Sequence, residues 1–328
     1  MRPFGPDRGS VIILLAWVLV ALSLIALSFS SSVRMEVRAT VNEVDLKQSY
    51  YIARSGVYYS INRILLQALK PAPPGAGQEA DEDVERGKLR FSMANGAAEI
   101  AVTDETGKIN VNLASEEILH SLMQQVGLSR NEEDAVVDGI LDWRDGDHDI
   151  RANGAEDSYY MDLPQPYHIK DGPLDNVEEL LLIKGMTPEI FYGQVFKDES
   201  GKEGNRGGLV NFLTTYTFVN RININSAPIE VLASLPGMDR QRAQAIIERR
   251  QQQPFGNPTE LGDQMGVGAD PNAQGFLSSF RSNVFSLRSA GRLSGRKIVS
   301  SIQCTFTVDG TSPTGYRIIY WNENNLEL

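Results

Sequence analysis

The chain has 328 residues, 41% hydrophobic and 22% charged, which is long enough for two compact units or one unit with a large insertion. A net charge of −11 with a pI near 4.9 argues against nucleic acid and anionic headgroups as partners, and leaves cation binding or plain solubility open. The single cysteine, Cys304, excludes an internal disulfide and a cysteine-based zinc site, and reads as a small buried hydrophobe.

From Gly9 to Val33 there is no charged residue, and Val11 to Leu27 is almost wholly apolar. A membrane-spanning helix needs about 20 such residues. Arg2 and Arg8 precede the run with only Asp7 opposing them, so the N-terminus should stay cytoplasmic and the bulk should lie outside. Three readings fit: a cleaved signal peptide, an uncleaved anchor, or a short leader cut between Gly9 and Ser10 that leaves the apolar run on the mature protein. Val33, Val37, Val41, Val44, Tyr51, Tyr58, Ile61, Leu65 and Leu69 continue at helical steps past the run, and Pro71 suits a helix stop.

Residues 71–87 are Pro/Gly-rich and then acidic, and read as an exposed loop. Lys88 to Met93 and Ala97 to Thr103 read as two strands around an Asn95-Gly96 hairpin signal. At the far end, Asn283 to Arg288, Lys297 to Val308 and Gly315 to Trp321 are rich in β-branched and aromatic residues and read as further strands.

The middle is different. Between residues 104 and 270 stand 29 Asp and Glu against 14 Lys and Arg, so the acidity is concentrated there, in a helix-like stretch punctuated by Gly and Pro. It also contains an echo. Ile109-Asn110-Val111-Asn112-Leu113-Ala114, followed by Glu117, Leu119 and Leu122, matches Ile222-Asn223-Ile224-Asn225-Ser226-Ala227, followed by Glu230, Leu232 and Leu235. Gly127-Leu128 with Ala135 and Ile140 matches Gly237-Met238 with Ala243 and Ile247. We read two copies of a helix–Gly turn–helix unit, inserted between strands of one sheet. Leu235-Pro236-Gly237-Met238 resembles a helix-hairpin-helix turn, and Ile183-Lys184-Gly185-Met186 is another such turn. Phosphate binding needs a positive potential, which this stretch lacks, so no nucleic acid is expected.

The sharpest local signal is the carboxylate loop from Asp142 to Asp157. With Asp145 at position 1 of an EF-hand spacing, Asp147 falls at 3, Asp149 at 5, the Arg151 carbonyl at 7, Asn153 at 9 and Glu156 at 12. Ile150 stands where that loop has Gly, so a different backbone path is expected. Crowded carboxylates repel one another until a hard divalent cation with six to eight oxygen ligands removes the repulsion. The alternative is a solvated acidic loop. His148 is a poor ligand for a hard ion. The sequence contains no G-x-S-x-G, P-loop or H-E-x-x-H pattern, and no enzyme activity is expected.

Taken in order, the leader and apolar helix, the acidic DWRDGDHD…GAEDSYY block, VEELLLIKGMTPE (177–189), the ININ-A-P-E-L stretch and LPGM with its following helix are similar to the minor pseudopilin K family of type II secretion systems. The resemblance implies an α+β pseudopilin fold. In it a long N-terminal helix, transmembrane then amphipathic, packs on an antiparallel β-sheet, and a large α-helical domain of two helix-hairpin-helix-like (SAM-like) units is inserted. It implies a leader over 1–9 cut between Gly9 and Ser10, a helix over 10–70 crossing the membrane at 11–31, a sheet domain from 71–105 and 282–328, and an insertion over 106–281. Pilins generally carry Glu at the fifth mature residue, whereas here that residue is Leu14, as in the K pseudopilins. A buried N-terminal amine needs an acidic partner on a neighbouring subunit. A subunit without that Glu cannot neutralise one ahead of it, and fits a filament tip. The resemblance further implies calcium held by Asp142, Asp145, Asp147, Asp149, Glu156 and Asp157. It implies an inner-membrane, single-pass protein with a periplasmic head. Its partners would be minor pseudopilins I and J, pseudopilins H and G, prepilin peptidase, membrane lipid, and secretin or secreted substrates. A minor pilin of a type IV pilus, or a calcium-dependent tethered binding module, are the alternatives.

Overall fold

The computed structural model describes residues 8–69, 84, 87–197, 203–256, 275–277 and 282–325. Helix α1, Arg8–Leu69, is unbroken over 62 residues, about 93 Å at 1.5 Å per residue. Among the described residues it is the one helix long and apolar enough to cross a membrane. Its two halves differ in burial. From Ile12 to Val44 the large apolar side chains are all exposed, whereas Ile52, Ala53, Val57, Ile61 and Ile64 are buried. The second half therefore behaves as an ordinary amphipathic helix on a sheet, and the first half stands clear of the rest of the chain.

That sheet comprises β1 (Lys88–Met93), β2 (Gly96–Asp104), β7 (Val284–Leu293), β8 (Val299–Val308) and β9 (Tyr316–Asn325), in the order β1-β2-β7-β8-β9 with every pair antiparallel. The turn between β1 and β2 falls on Ala94 and Asn95, one residue ahead of the Asn95-Gly96 signal, so that Gly96 opens β2. Small residues bring α1 close to the strands. A side chain on Gly291 would collide with the backbone of Ser49 and Ala53. Ser289 Oγ donates to the Ala53 carbonyl at 2.8 Å, and Ser49 and Ser300 share a hydrogen bond of 2.6 Å. Cys304 is buried in this core with Ile302 and Phe306. The expected loop over 71–87 lies, apart from residues 84 and 87, outside the described residues.

β2 and β7 are direct neighbours, so the chain leaves the sheet after Asp104 and returns to the adjacent strand. What lies between has its own core. It contains β3 (Ile109–Asn110), α2 (Glu116–Val126), α3 (Arg130–Arg144), α4 (Asp157–Met161), a 3-10 turn (Val177–Leu182) and α5 (Pro188–Tyr192). After these come the hairpin β4–β5 (Gly193–Lys197, Glu203–Gly207), β6 (Leu213–Thr214), α6 (Ile229–Ser234) and α7 (Arg240–Gln252). α2 packs on α6, so the two sequence repeats meet through their first helices. Gly127 (φ 84) caps α2 in the left-handed region that glycine tolerates, and Gly237 (φ 73) takes the same conformation two residues beyond the extended C-cap of α6, Leu235.

The repeats share hydrogen bonds as well as sequence. The Asn112 side chain both donates to and accepts from the Leu174 backbone at 2.8 Å. Asn225 does the same with Phe255 at 3.0 and 2.8 Å. The insertion is tied to the sheet by Asn223, whose backbone N–H donates to the Thr106 carbonyl at 2.8 Å and whose amide donates to Asp104 and Ser282. Tyr216 adds a ring contact to Tyr320 of β9 at 6.1 Å.

Candidate metal centre

The acidic loop joins α3 to α4. α3 starts at a capping box made by Ser129 and Glu132, and its buried face carries Val136, Val137, Ile140, Leu141, Asp142 and Trp143. This face fixes the rotation of the helix, so Asp142 points inward and Asp145, at the C-cap, sits where the chain turns away. Trp143 packs edge-on against Tyr160 of α4 at 5.4 Å, which holds the two ends of the loop together.

Asp145, Asp147 and Glu156 each offer a carboxylate oxygen, and these oxygens lie within 4.8 Å of one another. Glu156 also shares such a grouping with His148 and Asp171. Positions 1, 3 and 12 of the EF-hand spacing therefore come together. Positions 5, 7 and 9 are used otherwise. Asp149 is exposed, and its N–H donates to Asp147 Oδ1 at 2.9 Å. The Arg151 carbonyl accepts from Gly154 N–H at 3.1 Å. Asn153 gives its backbone and side-chain N–H groups to Asp138 Oδ2, both at 2.9 Å. The two remaining sequence candidates also face other partners. Asp142 is fully buried, and its two oxygens accept from Arg151: Nη1 at 2.7 Å and the backbone N–H at 3.2 Å. Asp157 accepts from the Ile169 backbone at 3.1 Å and contacts His168 Nδ1 at 3.0 Å.

Asp171, Asp138 and Arg151 as a side chain are the residues that spacing missed. Asp171 is the one non-glycine residue with positive φ (47°) among the described residues, a conformation Asp tolerates better than most. It is fixed there by Gly172, whose N–H donates to the Trp143 carbonyl at 3.3 Å. An Asp-Gly pair was the only signal in the sequence that could have drawn attention to it.

Four carboxylate oxygens in this cluster are buried without a hydrogen-bond partner: Asp145 Oδ1, both oxygens of Glu156, and Asp171 Oδ1. Burial and the neighbouring charges of Asp142, Asp171 and Asp145 push the Glu156 pKa above the usual carboxylate range. Burial disfavours the charge of Arg151, but its bonds to Asp142 and Asp145 win and raise its pKa. Convergent, unpartnered oxygens from hard carboxylates fit a hard divalent cation.

Two family models match the chain, over residues 95–192 and 222–278, and both describe protein K of the type II secretion system. Among curated relatives, the type II secretion system protein K of Aeromonas hydrophila is 22% identical over 200 residues, covering 56% of this chain and 60% of its own length. That of Pseudomonas aeruginosa is 20% identical over 285 residues, covering 79% of each. A putative protein K from Escherichia coli K12 is 35% identical over 75 residues, 23% of each chain. A chain from the crystal structure of the GspK-GspI-GspJ complex of enterotoxigenic E. coli superposes with a TM-score of 0.62 at 15% identity, covering 87% of this chain and 98% of that one. A long helix laid on an antiparallel sheet, with a second core inserted between neighbouring strands, is the fold that this chain shares with that one. Over residues 95–192 and 222–278 the chain is thus similar to type II secretion system protein K, and it spans less than two thirds of the length of the first of these relatives.

Proposed function

We propose that this protein is the minor pseudopilin at the tip of a type II secretion pseudopilus. α1 anchors it in the inner membrane, with the N-terminus cytoplasmic and the sheet and insertion periplasmic. Prepilin peptidase removes residues 1–9, leaving Ser10 as the first residue, and Leu14 then occupies the fifth position. The observation that carries this reading is the division of α1. Its first half exposes apolar side chains from Ile12 to Val44, while its second half carries a sheet with a broad inserted head. The exposed half suits lateral packing against other subunits' helices in lipid and just beyond it. In this reading the inserted head leaves no room for another subunit above it, and Leu14 offers no acid to a subunit ahead.

The partners that fit are minor pseudopilins I and J, beside pseudopilins H and G lower in the filament. The related protein from enterotoxigenic E. coli crystallised in a GspK-GspI-GspJ complex, which supports the first pair. The role is structural, with the subunit starting and capping assembly beneath the secretin during export of folded proteins.

The acidic centre is the head's calcium site in this reading. Asp145, Asp147, Glu156 and Asp171 hold the ion through oxygen atoms, and Asp142, Asp149 and Asp157 shape the loop around them. When bound, calcium supplies the positive charge that lets these carboxylates stay ionised together. The test is direct. Full-length protein co-expressed with pseudopilins I and J and extracted in detergent should begin at Ser10 and co-purify with both. A start at Met1, or purification of the chain alone, would sink the proposal.

A further inference from the structure

Five carboxylates, those of Asp142, Asp145, Asp147, Glu156 and Asp171, gather at the junction of α3 and α4. Apart from Asp147, whose Oδ1 accepts from the Asp149 N–H at 2.9 Å, they divide into two sets. The unpartnered oxygens belong to Asp145, Glu156 and Asp171. The satisfied ones face a single guanidinium: Arg151 Nη1 lies 2.7 Å from Asp142 Oδ1 and 2.7 Å from Asp145 Oδ2. Asp145 therefore belongs to both sets, with one oxygen on the guanidinium and the other buried and unpaired. The nearby Arg144 does not compete for this role, because it donates to the carbonyls of Val111 and Ala114.

We propose that Arg151 is a built-in cation of this centre that limits its affinity for the divalent ion, by neutralising Asp142 and sharing Asp145. The inference rests on reading the centre as a divalent-cation site, and goes beyond it in assigning a residue that sets occupancy. The reasoning is electrostatic. Buried charges in hydrogen-bond contact are weakly screened, so a fixed positive charge on a shared ligand lowers the attraction felt by a second cation. Without an ion, the same guanidinium holds together a loop that would otherwise carry five mutually repelling carboxylates. The chain thus gains a folded head before calcium arrives, at the cost of weaker binding afterwards. A merely structural Arg151 would have the opposite signature, because removing it would misplace Asp145 and weaken binding.

The experiment measures calcium affinity by isothermal titration on full-length protein in detergent after treatment with chelator, alongside its thermal midpoint in chelator. Arg151→Gln keeps a donor and loses the charge. It should bind calcium at least about tenfold more tightly, the effect that screening as strong as that of bulk water would still leave over about 6 Å, while its midpoint in chelator falls. Arg151→Lys should stay near wild type in affinity. Wild type that binds calcium with Arg151→Gln equal or weaker overturns this proposal and leaves the metal reading standing. Neither protein binding calcium overturns both. If Arg151→Gln does not fold in chelator, the double variant Asp142→Asn with Arg151→Gln removes one negative charge with the positive one. Its affinity should return toward wild type. A double variant that binds no calcium, or as weakly as a loop variant with its ligands removed, counts against the proposal.

Discussion

Arg250 does in the second repeat what Arg144 does in the first. The Arg144 guanidinium donates to the carbonyls of Val111 and Ala114, and Arg250 donates to those of Ile224 and Ala227, each 2.7 Å away. The two carbonyl pairs are 113 residues apart, the same offset as the sequence echo. Burial lowers the pKa of both groups, with the charge of Arg151 adding to the effect at Arg144. The N-x-N-x-A loop ends in carbonyls that its own helix cannot satisfy, and in each copy an arginine from the second helix closes them.

This equivalence predicts equal penalties. Arg144→Met and Arg250→Met each leave two buried carbonyls without a donor, which should cost about 2–4 kcal/mol. Lysine should rescue Arg144 poorly, because Nη1 and Nη2 of its planar fork each serve one carbonyl, and should rescue Arg250 better, because there Nη1 alone serves both. Urea unfolding of the four variants measures both.

A second prediction separates the carboxylates that converge from those that do not. Asp145→Asn and Glu156→Gln should abolish the calcium-dependent rise in thermal midpoint, which for a ligand at 100 times its Kd amounts to about 2.7 kcal/mol. Asp149→Asn should leave the rise intact, since Asp149 is exposed. In chelator, Glu156→Gln should be more stable than wild type, because an ionised buried carboxylate with no partner is replaced by a neutral group. Wild type with no calcium response would remove the basis for all three.

Much of this centre was legible and some was not. The alternation of Asp145, Asp147 and Asp149 with Glu156 beyond them is visible in one dimension, and three of its four members sit where the spacing puts them or beside it. Asp149 leaves because Ile150, where a Gly would turn the chain, gives the loop another path. Asp171 was invisible because it arrives from a later segment that Gly172 pins to Trp143. Arg151 was read as a backbone ligand, since spacing says nothing about where a long side chain reaches. The same limit explains the fold. Strands with alternating or β-branched runs were readable. By contrast, the parallel β3–β6 pair is two residues a side, and the β4–β5 hairpin has polar, glycine-containing strands with no pattern of period two. β9 runs on to Asn325 through a polar tail, because β8 offers it partners rather than because its residues favour strand.

A third prediction concerns pH, at the seam between insertion and sheet. Burial, with the charge of Glu105 assisting and Lys108 opposing, raises the Glu178 pKa. A carboxyl whose pKa is higher in the folded state binds its proton more tightly there. It therefore contributes stability that is fully present below the ordinary glutamate range and lost as pH rises through the raised value. Glu178→Gln should be more stable than wild type at neutral pH and should show a flatter stability profile over that window. Urea midpoints in a pH series, with chelator present so that calcium does not contribute, provide the comparison.

The last prediction tests how tightly the acidic loop is built. Gly154 lies under the Asp142 carboxylate, and a Cβ there would collide with that carboxylate and lie 3.1 Å from the Asp138 carbonyl. Neither neighbour can yield. Asp142 is fully buried and held by Arg151, while the Asp138 carbonyl belongs to α3. The Gly154 carbonyl in turn accepts from Lys184 Nζ at 2.7 Å, which ties the loop to the turn at Gly185. Gly154→Ala should therefore displace Asp142 from Arg151, at about 1–3 kcal/mol for overpacking a buried site. It should also disturb Asp145, which shares that guanidinium. Two readouts distinguish local strain from general damage: the calcium-dependent shift in midpoint should shrink, while co-purification with pseudopilins through α1 should persist. An alanine variant with wild-type stability and an unchanged calcium response would mean that the loop accommodates a methyl group and that Asp142 is not held as rigidly as its contacts imply.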